Sequence, residues 1–142
     1  MRTITAPDAF FVLERIDARS PAMPFFLKRD TGETPAAGFI NELHDLFTLI
    51  VGRPEELRQQ YGVKAMYAVL VVTPTRRRMH EIRGALRASR TAEQCDLFWF
   101  ATDADLMAEP NIGKVSWLPT ADGERRPIVW DASKWVATAY RD

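Results

Sequence analysis

The chain has one cysteine and two histidines among its 142 residues. A lone Cys95 excludes an intrachain disulfide framework and fits a reducing compartment. One thiol and two imidazoles, His44 and His80, are too few for a Cys/His metal cluster, and they lend little support to a Cys/His or Ser/His nucleophile pair. Cys95 precedes an apolar strand and reads as a small core residue. There is no glycine-rich phosphate loop, no dinucleotide fingerprint and no G-x-S-x-G elbow. The N-terminus has no apolar run of the signal-peptide kind. The longest apolar run, residues 65–72, is far too short to span a bilayer. A cytoplasmic protein without membrane contact is expected. Internal repeats and low-complexity tracts are also missing. Net charge is missing too, because 19 Lys and Arg balance 19 Asp and Glu. This is not a strongly basic nucleic-acid protein, so nucleic-acid binding would have to come from a local patch and would be salt-sensitive.

What is present is core material. Apolar residues make up 46% of the chain and charged ones 27%, as in an ordinary globular protein. Eight Phe and four Trp supply bulk. At this length the simplest organisation is a single domain, with its core at about residues 7–118 and a tail over 119–142.

The hydrophobic periodicity orders the elements. Residues 10–16 (FFVLERI) read as a strand, 17–24 as a proline-containing turn, and 25–28 as a second strand, which together make a hairpin with a long loop. Asp30-Thr31-Gly32 breaks the second strand. Thr34 as N-cap and Pro35 as the first helical residue start a helix. Phe39, Leu43, Leu46, Phe47 and Ile50 lie on one face of it, and it ends near Gly52. Residues 55–61 continue as a short helix stopped by Gly62. Residues 66–72 read as a central strand covered on both faces. A second helix follows Thr73-Pro74, and 97–102 (LFWFAT) is another buried strand. Residues 103–107 read as a helical turn. Residues 114–118 and 127–130 flank a turn, as a hairpin or as two irregular edge segments. The tail from 132 is weakly patterned. The order β-β-α-β-α-β predicts an α/β fold with a mixed central sheet flanked by helices. Trp99 reads as buried, whereas Trp130 and Trp135 read as cover for a sheet edge or a partner surface.

Two constellations carry possible chemistry. The first is the helix after Thr73-Pro74, where six arginines fall within residues 76–90. Arg76, Arg77 and Arg78 occupy its first turn, where cations oppose the helix macrodipole at roughly 0.3–1 kcal/mol each. At about 100° per residue, Arg76, His80, Arg83, Arg87 and Arg90 form one stripe beside the apolar Met79, Ile82 and Leu86. The stripe reads either as a solvated face or as a phosphate contact with nucleic acid. The second constellation is Asp8, Lys28 and Asp30. The ends of neighbouring strands can bring these three to one sheet edge, where two carboxylates can hold Mg²⁺ and a lysine can orient water or phosphate. The alternative is that both acids are turn residues.

The run Pro7-Asp8-Ala9, an apolar strand and then Phe25-Phe26-Leu27-Lys28-Arg29-Asp30 resembles the PD-(D/E)XK nuclease-like core. More narrowly, PDA at 7–9, FFLKRDTGET at 25–34, VLVVTPTRRR at 69–78 and LFWFAT at 97–102 resemble, in order and spacing, the replication-relaxation family of bacterial plasmids and mobile elements. The resemblance spans residues 7–118. It implies a restriction-endonuclease-like fold, DNA as partner, and work beside a relaxase or other plasmid-transfer proteins. It also implies Asp8, Lys28 and Asp30 as the catalytic positions, with Asp8 and Asp30 as ligands for Mg²⁺ if the site cuts. The family's acidic position is Lys28 in this chain, and its helical lysine is Glu42. The exchange preserves an ion pair and loses the usual metal-ligand geometry. The family also commonly carries an N-terminal winged-helix region, so an excised or reduced domain is expected. The leading expectation is a DNA-binding accessory domain that does not cleave. A Mg²⁺-dependent nuclease and a protein-interaction module, such as a homodimer, are the alternatives.

Overall fold

The computed structural model describes residues 6–17, 21–89, 96–121 and 123–140. Arg90 and Cys95 lie outside them. Six strands form one sheet in the order β5-β4-β3-β2-β1-β6. β1 (Ala9–Arg15) and β2 (Met23–Arg29) make the antiparallel hairpin, with Phe11 opposite Phe25. β3 (Ala68–Thr73) lies parallel to β2, and β4 (Phe98–Thr102) parallel to β3. β5 (Leu118–Pro119) and β6 (Trp135–Tyr140) are antiparallel edges beside β4 and β1. The mixed sheet flanked by helices is as the periodicity predicts.

β3 explains why its sequence is continuously apolar. All six of its residues are buried, because the strand is covered on both faces. The crossovers β2 to β3 and β3 to β4 run the same way along the sheet. Right-handed connections then fall on one face. Accordingly α1 (Ala36–Phe47), α2 (Pro54–Tyr61) and α3 (Arg76–Ser89) bury Phe39, Leu43, Leu57, Met79, Ile82 and Leu86 in one cluster with Phe26, Val69 and Phe100. Each such side chain contributes about 1.5–3 kcal/mol on full burial. The other face has no long helix among the described residues. An irregular run supplies Val115, Trp117, Ile128 and Val129 against Leu70 and Val72, after the short α4 (Asp103–Ala108). No helix among the described residues is long and apolar enough to cross a membrane.

Four local details differ from the sequence reading. Pro35, not Thr34, is the N-cap of α1, and no side chain caps it. The Thr34 carbonyl instead accepts a bond from Arg78. Past α1 the chain widens into a π-helical turn, Thr48–Gly52, which buries the consecutive Leu49 and Ile50. Trp99 is only half-buried, and the Arg126 guanidinium lies 5.2 Å from its ring centroid. The fully buried indole is Trp117. Finally, the weakly patterned tail forms β6. Gly62 ends α2 as predicted, in the left-handed conformation (φ 74°) that only glycine adopts cheaply.

Candidate functional site

In open α/β sheets, the carboxyl ends of parallel strands are where loops and helix N-termini converge. Here that edge carries most of the buried polar groups: Lys28, Asp30, Thr73 and Thr102. The hairpin places Asp8 there as well. Its N–H donates to the Leu27 carbonyl at 2.9 Å, and its Oδ2 accepts the Arg29 N–H at 2.6 Å.

Lys28 points to the helical face of the sheet. Its side chain is 11% exposed. Nζ lies 3.9 Å from Asp8 Oδ2 and 3.7 Å from Glu42 Oε1 on α1, and donates to the Ala6 carbonyl at 3.3 Å. The two carboxylate distances are ionic contacts, longer than hydrogen bonds. Asp8, Lys28 and Glu42 thus form one acid-base-acid group.

Asp30 has a separate set of partners. Its N–H donates to the Val72 carbonyl at 2.8 Å, so it continues the β2–β3 ladder. Its carboxylate is 1% exposed. Arg78 grips it with two donors, Nε to Oδ2 at 2.7 Å and Nη2 to Oδ1 at 3.1 Å. This is the bidentate fork that suits a guanidinium to a carboxylate. The hydrogen bonds and charge of Asp30 hold the Arg78 guanidinium above its ordinary pKa, against the opposing effect of burial. Oδ1 also accepts the Gly32 N–H at 3.0 Å. Gly32 has φ 82°, and a Cβ there would sit 3.2 Å from Pro74, so the loop that closes over Asp30 requires glycine.

These contacts decide how well Mg²⁺ fits. Both oxygens of Asp30 are occupied by a guanidinium. Asp8 has an ammonium 3.9 Å away and its Oδ2 already bonded. No group of three or more His, Cys, Asp or Glu side chains among the described residues is placed to hold a metal ion. A divalent cation between Asp8 and Asp30 would meet two fixed cations, so the arrangement does not suit one.

The arginine helix divides by role. Thr75 accepts the Arg78 N–H at 3.1 Å and so caps α3. Met79, Ile82 and Leu86 are buried, as the stripe geometry requires. Arg76, Arg77, His80 and Arg87 are exposed and make no ion pair among the described residues. Arg83 is half-buried, and its Nε donates to the Pro119 carbonyl at 3.0 Å, which ties α3 to β5. Arg78 turns inward to Asp30, with Nη1 3.5 Å from Glu81. Sequence reasoning left its partner unassigned. The available signal was an arginine in the turn after β3 and an aspartate ending the adjacent parallel strand.

Two further features escaped the sequence reading. Thr102 and Asp105 form a capping box on α4, with the Thr102 N–H 2.9 Å from Asp105 Oδ2. Arg125 reaches the same carboxylate at 3.2 Å. Toward the amino ends of β2 and β3, an apolar cleft of about 880 Å³ is lined by Val12, Glu14, Met23, Tyr61, Met66 and Tyr67, among others. Compared with known family models, curated proteins and solved structures, the chain matches none.

Proposed function

We propose that this chain is a DNA-binding domain that does not cleave, with α3 as its contact element. One observation carries the reading. In a chain of zero net charge, Arg76, Arg77, His80 and Arg87 are exposed on one helix without an ion-pair partner among the described residues. From Arg76 to Arg87 the helix rises about 16 Å, long enough to meet several phosphates of one duplex. Arg76 and Arg77 add their charge at a helix N-terminus, where backbone donors also favour anions. Contacts of this kind position DNA without reading its sequence. Arg83, drawn toward Pro119, contributes less, which narrows the predicted stripe.

The ordered PDA, FFLKRDTGET, VLVVTPTRRR and LFWFAT segments support two finer readings. One is a restriction-endonuclease-like core. The other is an accessory role in plasmid replication, relaxation or transfer, beside a relaxase or related transfer proteins. Mg²⁺-dependent cleavage by Asp8, Lys28 and Asp30 is the competing reading, and it rests on their meeting at one sheet edge. The Arg78 fork on Asp30 weighs against it. Binding of a fluorescent duplex over a salt series tests the proposal. The Arg76→Ala/Arg87→Ala variant should lower the slope of log affinity against log salt by about two. An unchanged slope would remove both residues from the interface.

A further inference from the structure

The two edges of the sheet are built differently. Native edge strands are usually shortened or interrupted by charge, proline or a bulge, because an open edge pairs with other chains. β5 follows that rule, with two residues ending in Pro119. β6 does not. Its six residues, Trp135–Tyr140 (WVATAY), contain no charge and no proline. They pair with β1 in unbroken register from Arg15↔Trp135 to Phe10↔Tyr140. Among the described residues, nothing pairs with the outer side of β6.

Apolar surface collects along this edge. Val136 is 51% exposed. Ile16, whose N–H donates to the Lys134 carbonyl, is 68% exposed. The apolar cleft beside β1 is lined by Val12 and Glu14, whose partners across the ladder are Thr138 and Val136. The cleft and the edge strand therefore adjoin through the β1–β6 ladder.

We infer that β6 pairs antiparallel with β6 of a second copy of this chain, joining the two sheets edge to edge about a two-fold axis. An axis perpendicular to the sheet keeps each face on its own side, so residues that oppose one another must share a face. With Ala137 on the axis, Val136 of one copy faces Thr138 of the other, a pair of β-branched side chains that suits cross-strand packing. No like charges meet, because the strand carries none. Zero net charge also leaves no long-range repulsion between copies. Six paired residues a side are far fewer than the roughly 20–30 a side of a stable interface, so the dimer is reversible and concentration-dependent.

Sedimentation velocity of the full chain over a concentration series, without DNA, tests this. The wild type should move from monomer to dimer as concentration rises. The Val136→Lys/Thr138→Lys variant, which places lysines on the edge, should stay monomeric with an unchanged melting curve. A wild type that stays monomeric throughout, or a variant that still dimerises, overturns the proposal. Hydrogen exchange on the wild type covers the case of a variant that fails to fold. The β6 amides directed away from β1 should gain protection as concentration rises, and a concentration-independent rate for them contradicts the pairing.

Discussion

A carboxylate with 1% of its side chain exposed must be paired or protonated, and Asp30 is paired by both arms of Arg78. Removing one partner of such a buried pair costs about 3–5 kcal/mol, because the other charge is stranded. Arg78→Ala should therefore unfold at much lower denaturant. Arg78→Lys should recover only part of the loss, since an ammonium cannot make the fork. The Asp30→Ala/Arg78→Ala double variant should be less destabilised than the two single losses summed, and strict additivity in urea unfolding would refute the coupling. Asp105 gives a second prediction. Burial pushes its carboxyl up, but the Thr102 backbone and hydroxyl bonds and the Arg125 guanidinium together hold it below the ordinary range. A depressed carboxyl stabilises the fold fully above its unfolded value of about 3.9. That stabilisation is lost as pH falls toward the folded value, because the unfolded state takes up the proton first. Asp105→Asn should lower stability at neutral pH and flatten the fall in melting temperature below about pH 4. An acid limb as steep as the wild type's would contradict this.

Among the elements, those with strong periodicity were legible in advance. The hairpin strands, the α1 face from Phe39 to Ile50, the continuous run of β3 and the buried side of α3 all follow from residue spacing, because packing against a sheet enforces it. β6 was not legible, since WVATAY becomes a strand only where β1 offers it an edge. The start of α1 differs from the sequence expectation because Thr34 is a good cap in isolation, whereas here its carbonyl serves Arg78. The candidate site was legible in part. Asp8 and Lys28 meet as the strand ends suggested, with Glu42 beside them. The fork between Asp30 and Arg78 joins residues 48 positions apart, and no local pattern specifies it. The same limit applies to the arginine stripe, where spacing gives the face and tertiary contact decides which members stay exposed. This difference can be measured. Arg83→Ala removes a bond to the Pro119 carbonyl and should cost about 1.5 kcal/mol of stability. Arg87→Ala should leave stability within about 0.5 kcal/mol of wild type and weaken DNA binding instead. A thermal melt beside a binding titration separates the two, and equal losses of stability would erase the division.

The molecule as a whole is neutral, with 19 Lys and Arg against 19 Asp and Glu. Acids and bases pair at the carboxyl edge of the sheet, Arg29 with Asp103 as well as Arg78 with Asp30. Along α3, Arg76, Arg77, His80 and Arg87 are exposed and make no ion pair among the described residues. In the proposed reading α3 holds DNA, and the carboxyl edge is a structural network rather than a cutting site. The most direct measurement titrates the chain against a fluorescent duplex over a salt series, with and without Mg²⁺, and runs the same samples on a denaturing gel. Affinity should fall steeply with salt and be reduced by Arg76→Ala/Arg87→Ala, and the duplex should stay intact whether or not Mg²⁺ is present. Cleavage that requires Mg²⁺ and is lost in Asp8→Ala, or no binding at low salt, would contradict it.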